Sequence, residues 1–152
     1  MITAWRIVKA AHVKNAFDGE GARLTGGRWN SPGIPMVYTA DSAALAALEM
    51  LVHLQRGAQL LSYVVMSCAF DESLVLRLDR ERLPANWRSY PAPAALQMLG
   101  DAWQKSGASL VLDVPSAIIV TASTFLINPR HQSFPRISIG GPEPFELDWR
   151  RQ

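Results

Sequence analysis

Glu49 is the one Asp, Glu, Lys or Arg side chain between Ser42 and Gln55, a run made almost entirely of alanine, leucine, methionine and valine. The run predicts a helix from Ser42 to about Arg56, ended by Gly57, and a helix this apolar on all sides is normally buried. Burial raises the pKa of a carboxyl group unless a cation or several donors compensate it. The helix alone leaves two interpretations of Glu49 open. It is either a site residue or a structural carboxylate, and in the second case it lies on a solvent-exposed edge of the helix or forms an ion pair.

A glycine-rich segment further upstream, Gly26-Gly27-Arg28-Trp29-Asn30, carries a second set of groups suited to a ligand. The glycines allow close approach of the backbone, and the guanidinium of Arg28 offers a fork of donors that suits phosphate. Trp29 can stack on a ring, and Asn30 can add a polar contact. Taken alone, the segment fits a tight turn with an exposed arginine better than a binding loop.

Several site motifs are missing from the sequence. It contains no G-x-G-x-x-G, no G-x-x-x-x-G-K-[ST], no H-E-x-x-H and no G-x-S-x-G. The three histidines, His12, His53 and His131, lack metal-ligand spacing, so we predict no metal site. The one cysteine, Cys68, lies in an apolar run that indicates a buried core thiol.

The composition sets the frame in which these residues must act. With 152 residues, 49% hydrophobic and 18% charged, the chain fits one packed domain. The net charge of +2 is spread along the chain, which suits an anionic ligand but does not indicate binding to nucleic acid or membrane. We find no secretory signal pattern and no apolar run long enough to span a bilayer, so the expected location is the cytoplasm.

Many short strands and few helices are predicted, which indicates the α+β class. Besides the helix around Glu49, a helix is predicted over Ala94–Ser106, ended by Gly107, and loops over Asp18–Pro35 and Leu83–Pro93. The predicted strands are Trp5–Val8, Met36–Thr39, Leu60–Phe70, Leu74–Leu78, Ser109–Val114, Ala117–Val120, Phe125–Ile127, Ile137–Ile139 and Phe145–Trp149.

Taken in order, the motifs resemble those of the RES domain, which is named for an arginine, a glutamate and a serine. The glycine-glycine-arginine segment is followed by Tyr38 in a strand, by Glu49 in Ala46-Ala47-Leu48-Glu49 and by Ser116 in Val114-Pro115-Ser116-Ala117. The segments Gln97–Trp103 and Asn128–His131 fit as well. The chain departs from the pattern at Ala122 and Thr124, where a polar pair, often glutamate and asparagine, is expected.

The resemblance implies one RES domain over residues 1–152, with a central, mostly antiparallel sheet similar to mono-ADP-ribosyltransferase folds. It implies a toxin that attacks NAD+ as substrate, with no bound cofactor, by hydrolysis, phosphorolysis or transfer of ADP-ribose to a protein. It also implies arrest of bacterial growth and an antitoxin with an Xre-type helix-turn-helix domain. A homodimer is possible, and the remaining alternative is a non-catalytic module that binds a nucleotide or peptide.

The resemblance also implies a role for each site residue. Glu49 would stabilise the positive charge that develops on ribose, Arg28 would bind phosphate, and Tyr38 would stack on nicotinamide. Ser116 would hydrogen-bond the substrate or orient Glu49, since no neighbouring histidine marks it as a nucleophile. Substrate contacts are further expected from Trp29, Asn30 and Asn128.

Overall fold

The computed structural model describes residues 1–53 and 62–146. Three α-helices are present in these residues, α1 (Glu20–Thr25), α2 (Ala43–His53) and α3 (Ala94–Ser106). Eight strands are present as well, β1 (Ile2–Lys9), β2 (Val37–Ala40), β3 (Tyr63–Phe70), β4 (Val75–Arg77), β5 (Val111–Pro115), β6 (Ser123–Ile127), β7 (Ser138–Ile139) and β8 (Glu143–Phe145).

The eight strands form one sheet in the order β4-β5-β6-β2-β1-β3-β7, with β8 also paired to β3. Every neighbouring pair is antiparallel except β4 and β5, which are parallel. This arrangement confirms the predicted α+β class with a mostly antiparallel sheet. It also joins β2, the strand of Tyr38, to β6, the strand of Thr124, although the two are far apart in sequence.

The alternation of side chains along the central strands divides the core between the two faces of the sheet. On one face Val111, Phe125 and Ile127 pack with residues of β1 and β3. On the other face Leu112 and Leu126 pack with α3. The sheet is therefore covered on both faces, which matches the short, nearly continuous apolar runs of β5 and β6.

Helix α3 is confirmed from Ala94 to Ser106, and Gly107 ends it with a left-handed φ of 65°. The strand predicted over Ala117–Val120 is wrong, because these residues form a turn between β5 and β6. The predicted loop Asp18–Pro35 contains helix α1. The helix was not predicted because two glycines flank it and a third lies within it, and glycine disfavours helix.

Other predicted boundaries fall partly on residues that the structure does not describe. The predicted end of the Glu49 helix, Arg56 and Gly57, lies outside the described residues, as do Leu60 and Trp149. Within the described part, the strand predicted from Leu60 begins at Tyr63.

Candidate active site

A cleft of about 300 Å³ opens between helix α2 and the strands beneath it. Its walls bring together residues that are remote in sequence, and the aromatic and ionisable ones are Trp5, Arg6, Tyr38, Glu49, His53 and Tyr63. Trp5 lies opposite Ala40 in the sheet, so side chains of β1 and β2 share one face below α2. Two of the predicted site residues, Tyr38 and Glu49, therefore line one cleft.

The carboxylate of Glu49 is partly buried and accepts two hydroxyl hydrogen bonds. Its Oε1 atom accepts from Ser116 Oγ at 3.3 Å and from Thr124 Oγ1 at 3.5 Å. Burial raises the pKa of Glu49 above its ordinary value, and Asp41 adds to this effect. The two hydroxyl donors and the charge of Arg28 lower that pKa and so favour the ionised form.

Ser116 is buried, and the hydrogen bonds of its hydroxyl indicate what it does in the site. The Oγ atom accepts hydrogen bonds from the amides of Ile118 at 3.1 Å and Ile119 at 3.2 Å. Its own proton is therefore left to donate to Glu49. Among the described residues no histidine is hydrogen-bonded to Ser116, and the arrangement orients a carboxylate instead of activating a nucleophile.

Thr124 is a site residue that the sequence reasoning did not assign. It is buried on β6, opposite Ala40, and its hydroxyl reaches the same carboxylate oxygen as Ser116. The available signal was its position, where the RES pattern leads one to expect a polar residue. Ala122, the other departure, contributes its carbonyl, which accepts from the Ser116 amide at 3.0 Å and closes the turn.

Arg28 is half-buried and makes its described hydrogen bonds with one nitrogen. Nη1 donates to the carbonyls of Trp87 at 2.8 Å and Ser89 at 3.1 Å. Burial lowers the pKa of the guanidinium, and Tyr38, Glu49 and Tyr90 raise it. Because Nε and Nη2 have no hydrogen-bond acceptor among the described residues, they can bind an anionic ligand.

The loop that carries Arg28 is held from two sides. The Tyr38 hydroxyl accepts from the Trp29 amide at 2.9 Å and donates to Asn30 Oδ1 at 2.6 Å. Burial raises the pKa of that hydroxyl, which keeps it protonated and able to donate. Helix α3 holds the other side, where Gln97 Nε2 donates to the Gly27 carbonyl at 2.9 Å.

Glycine at position 100 permits the close approach of α3 to this loop. A Cβ atom on Gly100 would lie 1.7 Å from the carbonyl oxygen of Trp29. The neighbouring Asp101 accepts a hydrogen bond from the Ser31 amide at 2.9 Å. The segment Gln97–Trp103, which matches the RES pattern, thus has a structural role, because it holds the Arg28 loop in place.

Three predicted ligand contacts need correction. Trp29 is 2% exposed and packs in the core with α3, so it has no free face on which a ligand ring could stack. Asn30 is 0% exposed, and its amide donates to the carbonyls of Ala22 and Ile34. Both residues shape the loop from inside.

Asn128 is the third correction. It is 3% exposed, and its side chain accepts from the Arg130 amide at 3.0 Å and donates to the Gln104 carbonyl at 3.1 Å. These bonds join the end of β6 to the end of α3. Because its polar atoms are satisfied within the protein, Asn128 has a structural role.

Arg6 lines the cleft, although the sequence reasoning did not assign it to the site. Its Nε atom donates to the Ala16 carbonyl at 2.7 Å, and Nη1 donates to the Tyr38 carbonyl at 3.0 Å. Burial lowers its pKa, and Asp18 raises it. In the sequence a single arginine in a short strand looks like an ordinary solvent-facing residue, so no local signal distinguished it.

Other classes of site find no support in the described part of the chain. In residues 1–53 and 62–146 no three His, Cys, Asp or Glu side chains are grouped so that they could hold a metal ion. Cys68 is buried, and burial raises the pKa of its thiol to about 12, so the predicted core thiol is confirmed. None of the described helices has the length and apolar character of a membrane span.

Comparison with known proteins gives a consistent family signal. The model of the RES domain matches residues 3–149. A protein named Toxin Res from Yersinia enterocolitica is 40% identical over 130 residues, 86% of this chain and 86% of the relative. A Prs ADP-ribosylating toxin from Sphingobium sp. is 36% identical over 132 residues, 84% of this chain and 82% of the relative.

Two further matches concern one protein. The NAD(+) phosphorylase MbcT of Mycobacterium tuberculosis is 47% identical over 47 residues, 30% of this chain and 23% of that protein. The crystal structure of the M. tuberculosis MbcT-MbcA toxin-antitoxin complex aligns with a TM-score of 0.77 at 21% identity, over 95% of this chain and 84% of that one. The structural likeness shows a shared fold.

Proposed function

The chain belongs to the RES domain family, and from that premise we propose that it is a toxin enzyme that cleaves NAD+ at the bond between nicotinamide and ribose. The observation that carries this proposal is the Glu49 carboxylate, held by two hydroxyls in a cleft that also contains an aromatic ring. A module that only binds a nucleotide could use a carboxylate there for a ribose hydroxyl, but it gains nothing from two donors that favour the charged form of that carboxylate near the phosphates. This argues against the non-catalytic alternative.

The proposed reaction begins with heterolysis of the glycosidic bond. The electron pair of the bond between ribose C1′ and nitrogen goes to nicotinamide, and positive charge develops on ribose. A fixed carboxylate stabilises such an oxocarbenium-like state. An oxygen of water or phosphate then bonds to C1′. Water loses a proton in this step, and the products are nicotinamide with ADP-ribose or its phosphate ester.

The two oxygens of Glu49 have different roles in this proposal. Oε1 accepts from Ser116 and Thr124, whereas Oε2 receives no hydrogen bond from the described residues. Oε2 is therefore available to a ribose hydroxyl or to the developing charge. Ser116 and Thr124 orient the carboxylate and favour its ionised form.

Substrate binding is assigned to Arg28 and Tyr38. Nε and Nη2 of Arg28, which bond to no acceptor in residues 1–53 and 62–146, suit the pyrophosphate, while Nη1 keeps the guanidinium in place. Tyr38 uses its hydroxyl to hold the Arg28 loop, and it lines the cleft. We assign its ring as the surface on which nicotinamide would stack.

A second candidate function is transfer of ADP-ribose to a specific protein. The similarity to the Prs ADP-ribosylating toxin over most of both chains favours it, while the shorter match to an NAD(+) phosphorylase favours small acceptors. Both functions share the first bond cleavage and differ in the acceptor.

NAD+ labelled in the adenosine part separates these acceptors. The purified chain is incubated with the label in water, in phosphate buffer and in a bacterial lysate, and the products are resolved by size. Labelled ADP-ribose or its phosphate supports hydrolysis or phosphorolysis, and label on one protein band supports transfer. Intact NAD+ under all three conditions would contradict the proposed function.

The partner belongs to the same proposal. The toxin-antitoxin complex of the structural neighbour supports an antitoxin for this chain, and we propose that it carries an Xre-type helix-turn-helix domain. We place the pair in the cytoplasm, where NAD+ is available. Nucleic-acid contacts are assigned to the antitoxin and not to this chain, and a homodimer stays a prediction.

A further inference from the structure

Arg88 hydrogen-bonds to the turn that follows Ser116. Its Nε atom donates to the carbonyl of Ala117 at 2.9 Å, and Nη2 reaches the carbonyl of Ile118 at 3.4 Å. Each of these carbonyls belongs to a peptide group whose N–H, that of Ile118 or Ile119, donates to Ser116 Oγ. The fork of one arginine therefore holds both peptide groups that fix the Ser116 hydroxyl.

These contacts form a continuous chain of hydrogen bonds that ends at Glu49. The guanidinium binds the Ala117 carbonyl, the N–H of the same peptide group binds Ser116 Oγ at 3.1 Å, and that hydroxyl binds Glu49 Oε1 at 3.3 Å. A cation at one end of such a chain polarises every bond toward the carboxylate at the other end. It also fixes the turn, because bonds from a charged donor are stronger than neutral ones.

Arg80 provides an internal comparison. It carries the same charge, is likewise exposed, and holds the same turn through the Val120 carbonyl, which both Nη atoms approach at 3.3 Å. The peptide group it binds joins Val120 to Thr121, and the Thr121 amide is not a donor to Ser116. Arg80 therefore anchors the turn without belonging to the chain that reaches Glu49.

We propose that Arg88 is a positioning residue of the reaction, which acts through two peptide groups and Ser116 to hold Glu49 in its orientation and charge state. The inference rests on the proposed function. Arg88 does not touch the carboxylate, so its removal should change how well Glu49 works and leave substrate binding nearly intact.

The pH dependence of Glu49 also depends on the other groups around it. Among the described residues these are Arg6 on β1, Tyr38 on β2, His53 on α2, Tyr63 on β3, Asp41 before α2 and Arg28 in the glycine-rich loop. All of them are retained in a variant of Arg88. A change in the titration of Glu49 in that variant is therefore due to the loss of Arg88, provided that Arg28 has not moved, and Arg80→Gln shows whether the loss of one positive charge at this turn is enough to cause it.

Arg28 must be monitored because its two acceptors, the carbonyls of Trp87 and Ser89, flank Arg88. The kinetic constants distinguish an effect on Arg28 from an effect on Glu49. Loss of a phosphate contact at Arg28 raises KM, whereas a poorly held Glu49 lowers kcat. Loss of Arg88 also removes a positive influence on the carboxylate, so the acidic limb of the kcat profile should move to higher pH.

The test compares NAD+ cleavage by the wild type, Arg88→Gln, Arg88→Lys and Arg80→Gln across the acidic pH range. We expect Arg88→Gln to lower kcat about tenfold below neutral pH, with KM changed less than about twofold. Arg88→Lys should recover part of the loss, since a point charge reaches one carbonyl and cannot reproduce the fork. Arg80→Gln removes a contact of the same turn but leaves the chain of hydrogen bonds intact, so it should lower kcat less than Arg88→Gln does and leave the acidic limb at the wild-type position. A raised KM with an unmoved acidic limb, or an equal effect of Arg80→Gln, would overturn the proposal.

A second measurement needs no activity. In protein labelled with ¹³C at the glutamate carboxyls, the Glu49 signal is assigned by its absence in Glu49→Gln and titrated in each variant. We expect a higher midpoint in Arg88→Gln and the wild-type midpoint in Arg80→Gln. Equal midpoints in all three proteins would refute the role of Arg88. If the wild type leaves NAD+ intact, the proposed function fails, and this titration still decides whether Arg88 acts on Glu49.

Discussion

At the scale of single residues, the site depends on how its buried polar groups are partnered. The arginine, glutamate and serine of the RES pattern were predicted from the order of the motifs, since Arg28 and Ser116 taken alone fit ordinary turn residues. Trp29, Asn30 and Asn128 stand in the same motifs and look like ligand contacts. Their burial arises from contacts with α1, α3 and β2 that form only when the chain folds, so no pattern within these motifs could separate them from residues that contact a ligand.

Arg28→Ala should weaken substrate binding more than it slows the chemical step. A phosphate contact is present in both the ground state and the transition state, so its loss raises KM chiefly. Initial rates over a range of NAD+ concentrations measure this, and Arg28→Lys should restore only part of the affinity. A normal KM with a collapsed kcat would contradict the assigned role.

Glu49→Gln should stabilise the folded protein at neutral pH. Because burial raises the pKa of Glu49, the folded chain binds this proton more tightly than the unfolded chain does. The group therefore contributes stability below its unfolded pKa, and the contribution is lost as pH rises through the folded pKa. We expect a higher Tm for the variant at pH 7–8, by about 2–4 °C for each kcal/mol gained.

Thermal unfolding followed over pH tests this sign. The difference in Tm between Glu49→Gln and wild type should shrink as pH falls and vanish below about pH 4, where the carboxyl is protonated in both states. The exposed Glu72 offers a matched control, and Glu72→Gln should change stability by less than about 0.5 kcal/mol. A variant less stable than wild type at pH 8 would count against a carboxylate whose charged form is destabilised by burial.

At the scale of elements, packing between helix and loop explains what local patterns missed. Helix α3 was predictable to its last residue, because Gly107 marks its end. The apolar run Ala117–Val120 looks like a strand, but two of its amides bind Ser116 and cannot join a ladder. The close contact between α3 and the Arg28 loop is reflected in the sequence only by the glycine at position 100, which does not by itself predict that contact.

Gly100→Ala should destabilise the protein and impair substrate binding together. The added methyl group would meet the Trp29 carbonyl at 1.7 Å, so the helix or the loop must shift. Overpacking of this kind costs about 1–3 kcal/mol. We expect a lower Tm and a higher KM for NAD+, because Arg28 follows the displaced loop.

Gly21 provides the matched control for this substitution. It lies in helix α1, and a Cβ atom there would meet nothing within 4 Å. Gly21→Ala should keep the wild-type KM and gain about 0.5–1 kcal/mol, since alanine favours helix over glycine. Equal losses in both variants would show that general glycine effects, and not the contact with Trp29, cause the change.

At the scale of the whole molecule, the sheet brings the site together. Pairing of β2 with β1 and β6 places Tyr38 and Thr124 near the helix that carries Glu49, while the turn after β5 supplies Ser116. The class of fold followed from the number of short strands, but the strand order, and with it the partnership of Thr124 with Glu49, depends on long-range pairing that local patterns do not encode.

Expression of the chain alone in bacteria should stop growth and lower cellular NAD+, because cleavage removes a coenzyme that metabolism requires. Co-expression of the proposed antitoxin should prevent both effects. Optical density and total NAD+ are measured in the same cultures over time. Growth arrest with unchanged NAD+ would favour modification of a protein over depletion of the coenzyme.

The most direct test of the central claim is NAD+ turnover by Glu49→Gln beside the wild type and the Glu72→Gln control, with nicotinamide release as the readout. Glutamine keeps the shape and can still accept from Ser116 and Thr124, but it carries no charge to stabilise the developing cation. We expect kcat to fall about 10²–10³-fold in Glu49→Gln and to stay at the wild-type value in the control. Turnover by Glu49→Gln equal to that of the wild type would remove the carboxylate from the mechanism and contradict the account.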